Sequence, residues 1–163
     1  MLDKKQNWEY RVIEIKRVTK VTKGGKAFKI RAVVIVGDKK GRVGIGVEKG
    51  DDVSQAVNKA INKAIKNHII VPIVNGTIPY EVQGKVSAAK VLIKPTRQGR
   101  GIIAGGSVKL ILELAGLKDV VSKITGVTKN PLTNAMAALK ALDKLNRYFI
   151  IKQQENKDVN QSD

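Results

Sequence analysis

Between Val43 and Val47 the chain alternates β-branched residues with glycine, and that short stretch restricts the fold more than any other. A strand here places Val43, Ile45 and Val47 on one face and Gly44 and Gly46 on the other, where missing side chains admit another backbone at close range. Two more strand patterns precede it. From Glu9 to Val21 the run RVIEIKRVTKV is rich in β-branched residues and changes phase between Ile15 and Val18, the mark of a bulge. Phe28, Ile30, Ala32, Val34 and Val36 then alternate with Lys29 and Arg31. Turns at Lys23-Gly24-Gly25-Lys26 and Gly37-Asp38-Lys39-Lys40-Gly41 separate the three segments into a meander.

A sheet with an apolar side needs a cover, and the next segment offers one. Asp51 or Asp52 can cap a helix whose apolar positions are Val53, Ala56, Val57, Ala60, Ile61, Ala64 and Ile65, a single buried stripe. Residues 9–68 are therefore expected to form a β-β-β-α domain after an N-terminal extension of residues 1–8. Extended pieces around Ile69 to Val74 and Ile78 to Gln83, a firmer strand from Lys85 to Lys94 and a glycine-rich loop open the second half. Gly105-Gly106-Ser107 starts a helix through Val108, Ile111, Leu112 and Ala115, which Gly116 ends. Val120 to Thr125 reads as a strand, and Asn130-Pro131 caps a last helix with Leu132, Met136, Leu139 and Leu142 on its buried face. Residues 69–148 thus make a second, small α+β domain, and 149–163 a polar tail of the kind that frays.

Charge and composition decide the class of partner. Lys and Arg number 31 against 14 Asp and Glu, a net +17, in a chain that is still 42% apolar. A globular protein so basic repels itself unless a polyanion neutralises it, so nucleic acid is the expected partner. Both halves share the excess: 17 − 7 = +10 over residues 1–68 and 12 − 4 = +8 over 69–150. There is no cysteine and a single histidine, His68, which removes thiol chemistry and metal centres built on Cys or several His. No stretch nears the length of an apolar membrane span, and the opening MLDKKQNWEYRV has neither a secretory apolar region nor a Ser-rich, acid-poor transit composition. The expectation is a protein made where it works, with no cofactor, small-molecule substrate or membrane.

The enzyme-like motifs of the chain fail in context. Gly99, Gly101 and Ala104 fit the permissive dinucleotide pattern, but the acidic residue due at the end of the following strand is absent, Asp119 standing before it. Gly84-Lys85-Val86-Ser87 lacks the remaining elements of a phosphate-binding P-loop. Asp51-Asp52 suits a helix N-terminus better than an acid–base pair. RNA contact, mainly to phosphate and sugar, is expected instead from Arg17, Lys20, Lys23, Gly24, Gly25, Lys26, Lys29, Arg31, Lys39, Lys40 and Arg42, and from Lys59, Lys63 and Lys66 on the exposed face of the first helix. In the second half Arg97 and Arg100 flank bare backbone N–H groups. The loop of Gly99, Gly101, Gly105, Gly106 and Ser107 suits a phosphate or a partner.

These residues add up to a family likeness. The run RVTKVTKGGKAFKIRAVVIVGDKKGRVGIGVEKG, then VSQAVNKAINKA, GRGIIAGGSVKLILELAGLKDVVSKITG and NPLTNAMAALKAL, in order from about Trp8 to Leu145, resembles the family of small-subunit ribosomal protein five of bacteria and plastids. The resemblance implies an α+β protein with a double-stranded-RNA-binding-domain-like first domain and the second α+β domain typical of that family. It also implies a structural constituent of the small ribosomal subunit, not an enzyme. Its partners would be small-subunit ribosomal RNA around the body–head junction, small-subunit proteins four and eight, and messenger RNA near the entry channel, with a role in decoding accuracy and in unwinding structured messages. The segment Lys23 to Lys26 would reach head RNA, and Gly99 to Gly106 would lie near neighbouring protein and RNA. Two departures stand out. The first domain lacks the leading helix of a full double-stranded-RNA-binding domain, so the two-minor-groove mode is not expected. Arg100 stands where the likeness leads one to expect threonine. The Lys, Asn and Ile richness suits a plastid ribosome, with a bacterial cytoplasmic one as the alternative. A free-standing RNA chaperone is the competing function, separable by whether the chain stays on the subunit through a high-salt wash.

Overall fold

The computed structural model describes residues 7–160. Residues 1–6 of the expected extension and 161–163 of the expected tail lie outside the described residues. Strands β1 (Glu9–Thr22), β2 (Gly25–Gly37) and β3 (Arg42–Gly50) form an antiparallel meander, joined by helix α1 (Val53–Lys66) to β4 (Ile69–Ile70), which pairs with the edge of β3. The second sheet consists of β5 (Val82–Val86), β6 (Ala89–Pro95), β7 (Ile102–Ile103) and β8 (Val120–Ile124), in the order β5-β6-β8-β7. Helix α3 (Pro131–Asn160) packs on one face of this sheet, and α2 (Gly106–Ala115) lies between α3 and the first sheet. The architecture is the two-domain α+β arrangement, a β-β-β-α domain followed by a second α+β domain.

The glycines of β3 decide where α1 sits. A Cβ on Gly46 would collide with the Ala60 carbonyl, one on Gly44 with that of Ala64, and one on Gly50 with the Ala56 amide. The helix backbone occupies the space those side chains would take, and Ala56, Ala60 and Ala64 are wholly buried against Ala32, Val34 and Val36 of β2. On β3, therefore, α1 covers the glycine face. The opposite face, with Ile35 and Val43 buried and Ile13 and Ile45 packed beside them, joins the core of Ile111, Leu112, Leu142 and Leu145 from the second domain. The sequence pointed to one apolar side and a separate second domain; both sides are buried and the domains share a core. The reason was visible in β2, where Ala32 to Val36 is an unbroken apolar run, the signature of a strand covered on both faces. The joint is also hydrogen-bonded: the Lys39 N–H donates to the Leu114 carbonyl at 2.9 Å and that of Gly41 to Ala115 at 2.8 Å.

Several local expectations are corrected. The β1 bulge lies at Val12–Glu14, not between Ile15 and Val18. The first turn is tighter than four residues: Thr22 pairs with Gly25, so only Lys23 and Gly24 form the tip. Ile69–Ile70 belongs to the first sheet, and regular pairing in the second begins at Val82. Lys85 to Lys94 is not one strand but a hairpin turning at Ser87-Ala88, with Ser87 at φ 53, and no glycine or proline announces that turn. Asp52 stands at the N-cap of α1 without a side-chain capping bond; instead the Asp51 N–H donates to Gln55 Oε1 at 2.9 Å. Gly105 and Gly116 cap α2 as expected, Gly116 at φ 91. Asn130 Oδ1 accepts the Leu132 N–H at 3.1 Å at the start of α3. The buried face of that helix is Ala135, Ala137, Ala138, Ala141, Leu142 and Leu145, with Met136 outward; Ala137 and Ala141 lie directly over Gly84, where only small residues fit. The helix then runs on to Asn160 where a frayed tail was expected, through Lys, Gln and Glu, which are good helix formers uninterrupted by glycine or proline.

Candidate nucleic-acid interface

Because β3 ends at Gly50, opposite Ile30, the outer part of β1 and β2 continues as a two-stranded arm from Val18–Lys29 to Thr22–Gly25. At about 3.4 Å per residue it reaches on the order of 17 Å beyond the three-stranded sheet. Apart from half-buried Val18, its side chains are exposed, so the core does not explain their identity. Strand alternation places Lys26, and Arg17 at the arm's base, on the α1 side and Lys20 and Lys29, with Arg31 just below the arm, on the other, with Lys23 at the tip. The arm thus presents positive charge on both faces. The Arg17 guanidinium lies 4.0 Å above the Phe28 ring, a cation–π contact that fixes it in place without a carboxylate. Gly25, at φ 137, supplies a conformation closed to most side chains, while Gly24 is open on all sides.

Register reveals two cations that sequence reasoning missed, Lys16 and Lys49, on either side of the expected Arg31. Lys16, Arg31 and Lys49 stand opposite one another across β1, β2 and β3. Directly opposed like charges destabilise a sheet, and among the described residues only Glu14, 2.7 Å from Lys16, offsets them. Each of the three was readable as a basic residue in a strand pattern, but their juxtaposition needed the pairing register, which the displaced bulge would have misassigned.

The second turn is built around Asp38. Its Oδ1 accepts the N–H groups of Lys40 at 2.8 Å and Arg42 at 3.0 Å, and Oδ2 accepts Arg42 Nε at 2.6 Å. Arg42 also lies over the Trp8 ring at 4.8 Å, and Lys39 pairs with Glu9 at 2.9 Å. Of the basic residues expected to meet RNA here, Lys40 alone has no acidic partner among the described residues; Arg42 is occupied in holding the turn. Burial tends to raise the Asp38 pKa, but the Lys40 N–H and the Arg42 side chain and N–H outweigh it, and the carboxyl stays below its ordinary 3.8. A depressed carboxylate contributes stability above its unfolded pKa and loses it as pH falls through the folded one. Asp38→Asn should therefore cost about 2 kcal/mol near neutral pH, and thermal melts should show the gap to wild type closing below about pH 3.8.

On α1, Lys59 and Lys66 are exposed and unpaired among the described residues, but Lys63 is not free. Its Nζ donates to Glu48 at 2.7 Å and to the Val47 carbonyl at 3.3 Å, and that bond, against a smaller desolvation effect, holds Glu48 below its usual pKa.

In the second domain Gly99 at φ 86 and Gly101 at φ 77 shape the loop, which leaves exposed Arg97 and Arg100 without acidic partners among the described residues. The Gly101 N–H is not bare: it donates to Asp119 Oδ1 at 2.8 Å, so the acid out of place for a dinucleotide site is the one that pins this loop. Gly105 and Gly106 are exposed at the start of α2 with Ser107 half-buried behind them. No acidic side chain sits in the first helical turn, and a Cβ on Gly106 would meet nothing within 4 Å. The loop and the arm are two basic features, one on each of the domains that share the core.

Residues 8–72 match the model of the ribosomal protein S5 N-terminal domain, and residues 84–155 that of the ribosomal protein S5 C-terminal domain. The chain is 48% identical over 158 residues to small ribosomal subunit protein uS5c of Guillardia theta, 96% of this chain and 93% of that protein. It is 49% identical over 140 residues to the uS5 protein of Thermotoga maritima, covering 86% and 78%. With that of Synechococcus elongatus it shares 46% over 160 residues, covering 98% and 88%.

Proposed function

The chain belongs to the ribosomal protein S5 family, and on that premise we propose that it is a structural, non-catalytic constituent of the small subunit of a plastid or bacterial ribosome. It binds small-subunit ribosomal RNA through the arm and the lysines of α1. The observation that carries the reading is the arm itself: paired strands that outrun their sheet, almost wholly exposed, with cations on both faces. Such an element adds nothing to the core, and its charges favour phosphate at close range. Lys20, Lys23 and Lys26 meet RNA directly, with Lys29, which lies 3.8 Å from the Asp51 carboxylate, and Arg31, Lys40, Lys59 and Lys66 behind them. Gly99 to Ser107, with Arg97 and Arg100, faces a neighbouring small-subunit protein and RNA, the open side of Gly106 allowing close approach. Proteins four and eight and the messenger RNA near its entry are the partners that fit this reading, and support of decoding accuracy is its consequence.

Sedimentation tests it. The tagged chain, expressed in Synechococcus elongatus in place of the resident protein, should remain stoichiometric with the small subunit through a wash in high salt. Loss from the subunit in that wash would favour a free-standing RNA chaperone.

A further inference from the structure

The second sheet has one face against α2 and α3 and one without cover among the described residues. Val82, Gly84, Ala89, Val91, Ile93 and Val120 point inward and are buried. Their alternates point outward, and four of those are lysines: Lys85 on β5, Lys90 and Lys94 on β6, and Lys123 on β8. Pairing brings them together. Lys85 stands directly opposite Lys90, and Lys123, opposite Leu92, lies diagonal to both Lys90 and Lys94. Neighbours in these relations are about 5 Å and 7–8 Å apart, close enough for like charges to destabilise the sheet. Among the described residues only Lys94 is relieved, by Glu81 at 3.6 Å, and no carboxylate stands on the outward face of the strands. Leu92, half-buried, lies among these lysines, and half-buried Val121 beside Lys94 leads to Ile103, 49% exposed on the edge strand β7, an apolar strip that runs from the lysines to the sheet edge.

We infer that this face is a second RNA-binding surface, taking the sugar–phosphate backbone of the RNA that the arm also engages. Lysines on adjacent strands meet successive phosphates, and the strip of Leu92, Val121 and Ile103 lies against riboses. The inference rests on the ribosomal reading for the identity of the RNA. The charge pattern argues for a polyanion in its own right: an isolated sheet gains nothing from opposed lysines, whereas a phosphate run removes their repulsion and releases counterions. A neighbouring protein would have to bring several carboxylates to the same small area.

The test uses the full chain and small-subunit ribosomal RNA transcribed from Synechococcus elongatus, with affinity measured across a salt series. Lys85→Ala, Lys90→Ala and Lys123→Ala together should leave the melting temperature of the free protein unchanged or raised, and should flatten the slope of log affinity against log salt by about 2, at roughly 0.7–0.9 per phosphate contact. The arm variant Lys23→Glu with Lys26→Glu is measured beside it. A flattened slope in the arm variant alone would overturn the second surface and leave the ribosomal reading standing; no change in either would remove both. If the triple variant binds this RNA as wild type does but no longer enters subunits, the face belongs to an acidic protein neighbour, and the inference is overturned.

Discussion

Gly46→Ala is expected to lower stability by more than about 3 kcal/mol, the top of the usual range for overpacking. The added methyl would land on the Ala60 carbonyl, which is helix backbone and cannot turn aside as a long side chain would. To make room, α1 must lift off the sheet, exposing Ala56, Ala60 and Ala64 together with Val34 and Val36. The damage should not stop there, since the other face of the same strands is part of the second domain's core through Ile35 and Val43. Unfolding should therefore remain one transition. Trp8, the single tryptophan, reports the first domain by fluorescence and packs against the α1 core, while far-ultraviolet circular dichroism is dominated by α2 and α3 as well as α1. In urea the two signals should move together to a lower midpoint. Gly24→Ala is the control: it lies at the arm tip with nothing within 4 Å of the new methyl, and should shift stability by less than about 0.5 kcal/mol. A Gly46→Ala protein as stable as wild type would mean that α1 does not rest on the glycine face.

What the sequence made legible was what short-range physics controls. The alternation in β2, the glycine pair in β3, the alanine-rich stripe of α1, the αL glycine after α2 and the Asn-Pro start of α3 each reflect a local rule, and each element is present. What it hid depended on pairing or on distant partners. A bulge displaced by a few residues changes which side chains share a face, which is why Lys16 and Lys49 went unnoticed beside Arg31. The hairpin at Ser87-Ala88 has no glycine or proline, so its two strands read as one, and with them the outward row of Lys85 and Lys90 was lost. Nor could composition tell a free basic residue from an engaged one: Lys63 and Arg42 look like their neighbours, and only the folded turn that closes Asp38 on Arg42, and Glu48 across the fold from Lys63, distinguish them. The Met136 position failed for a related reason, since a helix over Gly84 selects small residues ahead of large ones.

Charge reversal at the arm, Lys23→Glu with Lys26→Glu, is expected to cost at least a hundredfold in affinity for small-subunit ribosomal RNA while leaving the melting temperature within error of wild type. Neither lysine has an acidic partner among the described residues, neither side chain is buried, and Lys26 stands opposite Val21, itself 73% exposed, so folding has little at stake in either. Binding has more. Each hydrogen bond between a charged side chain and phosphate is worth about 1.5–3 kcal/mol, and a carboxylate in its place adds repulsion at a site where a two-residue turn leaves the backbone no freedom to withdraw. A turn that served only to reverse the chain could be neutral; this one has a lysine at its tip and another on the first pairs behind it. Ribosomes carrying the double variant at full occupancy should translate more slowly or less accurately, measured as peptide yield and misincorporation in a purified system. Wild-type affinity, speed and accuracy together would reduce the arm to a solvated hairpin, and the contact with RNA would then have to come from α1 and the second domain alone.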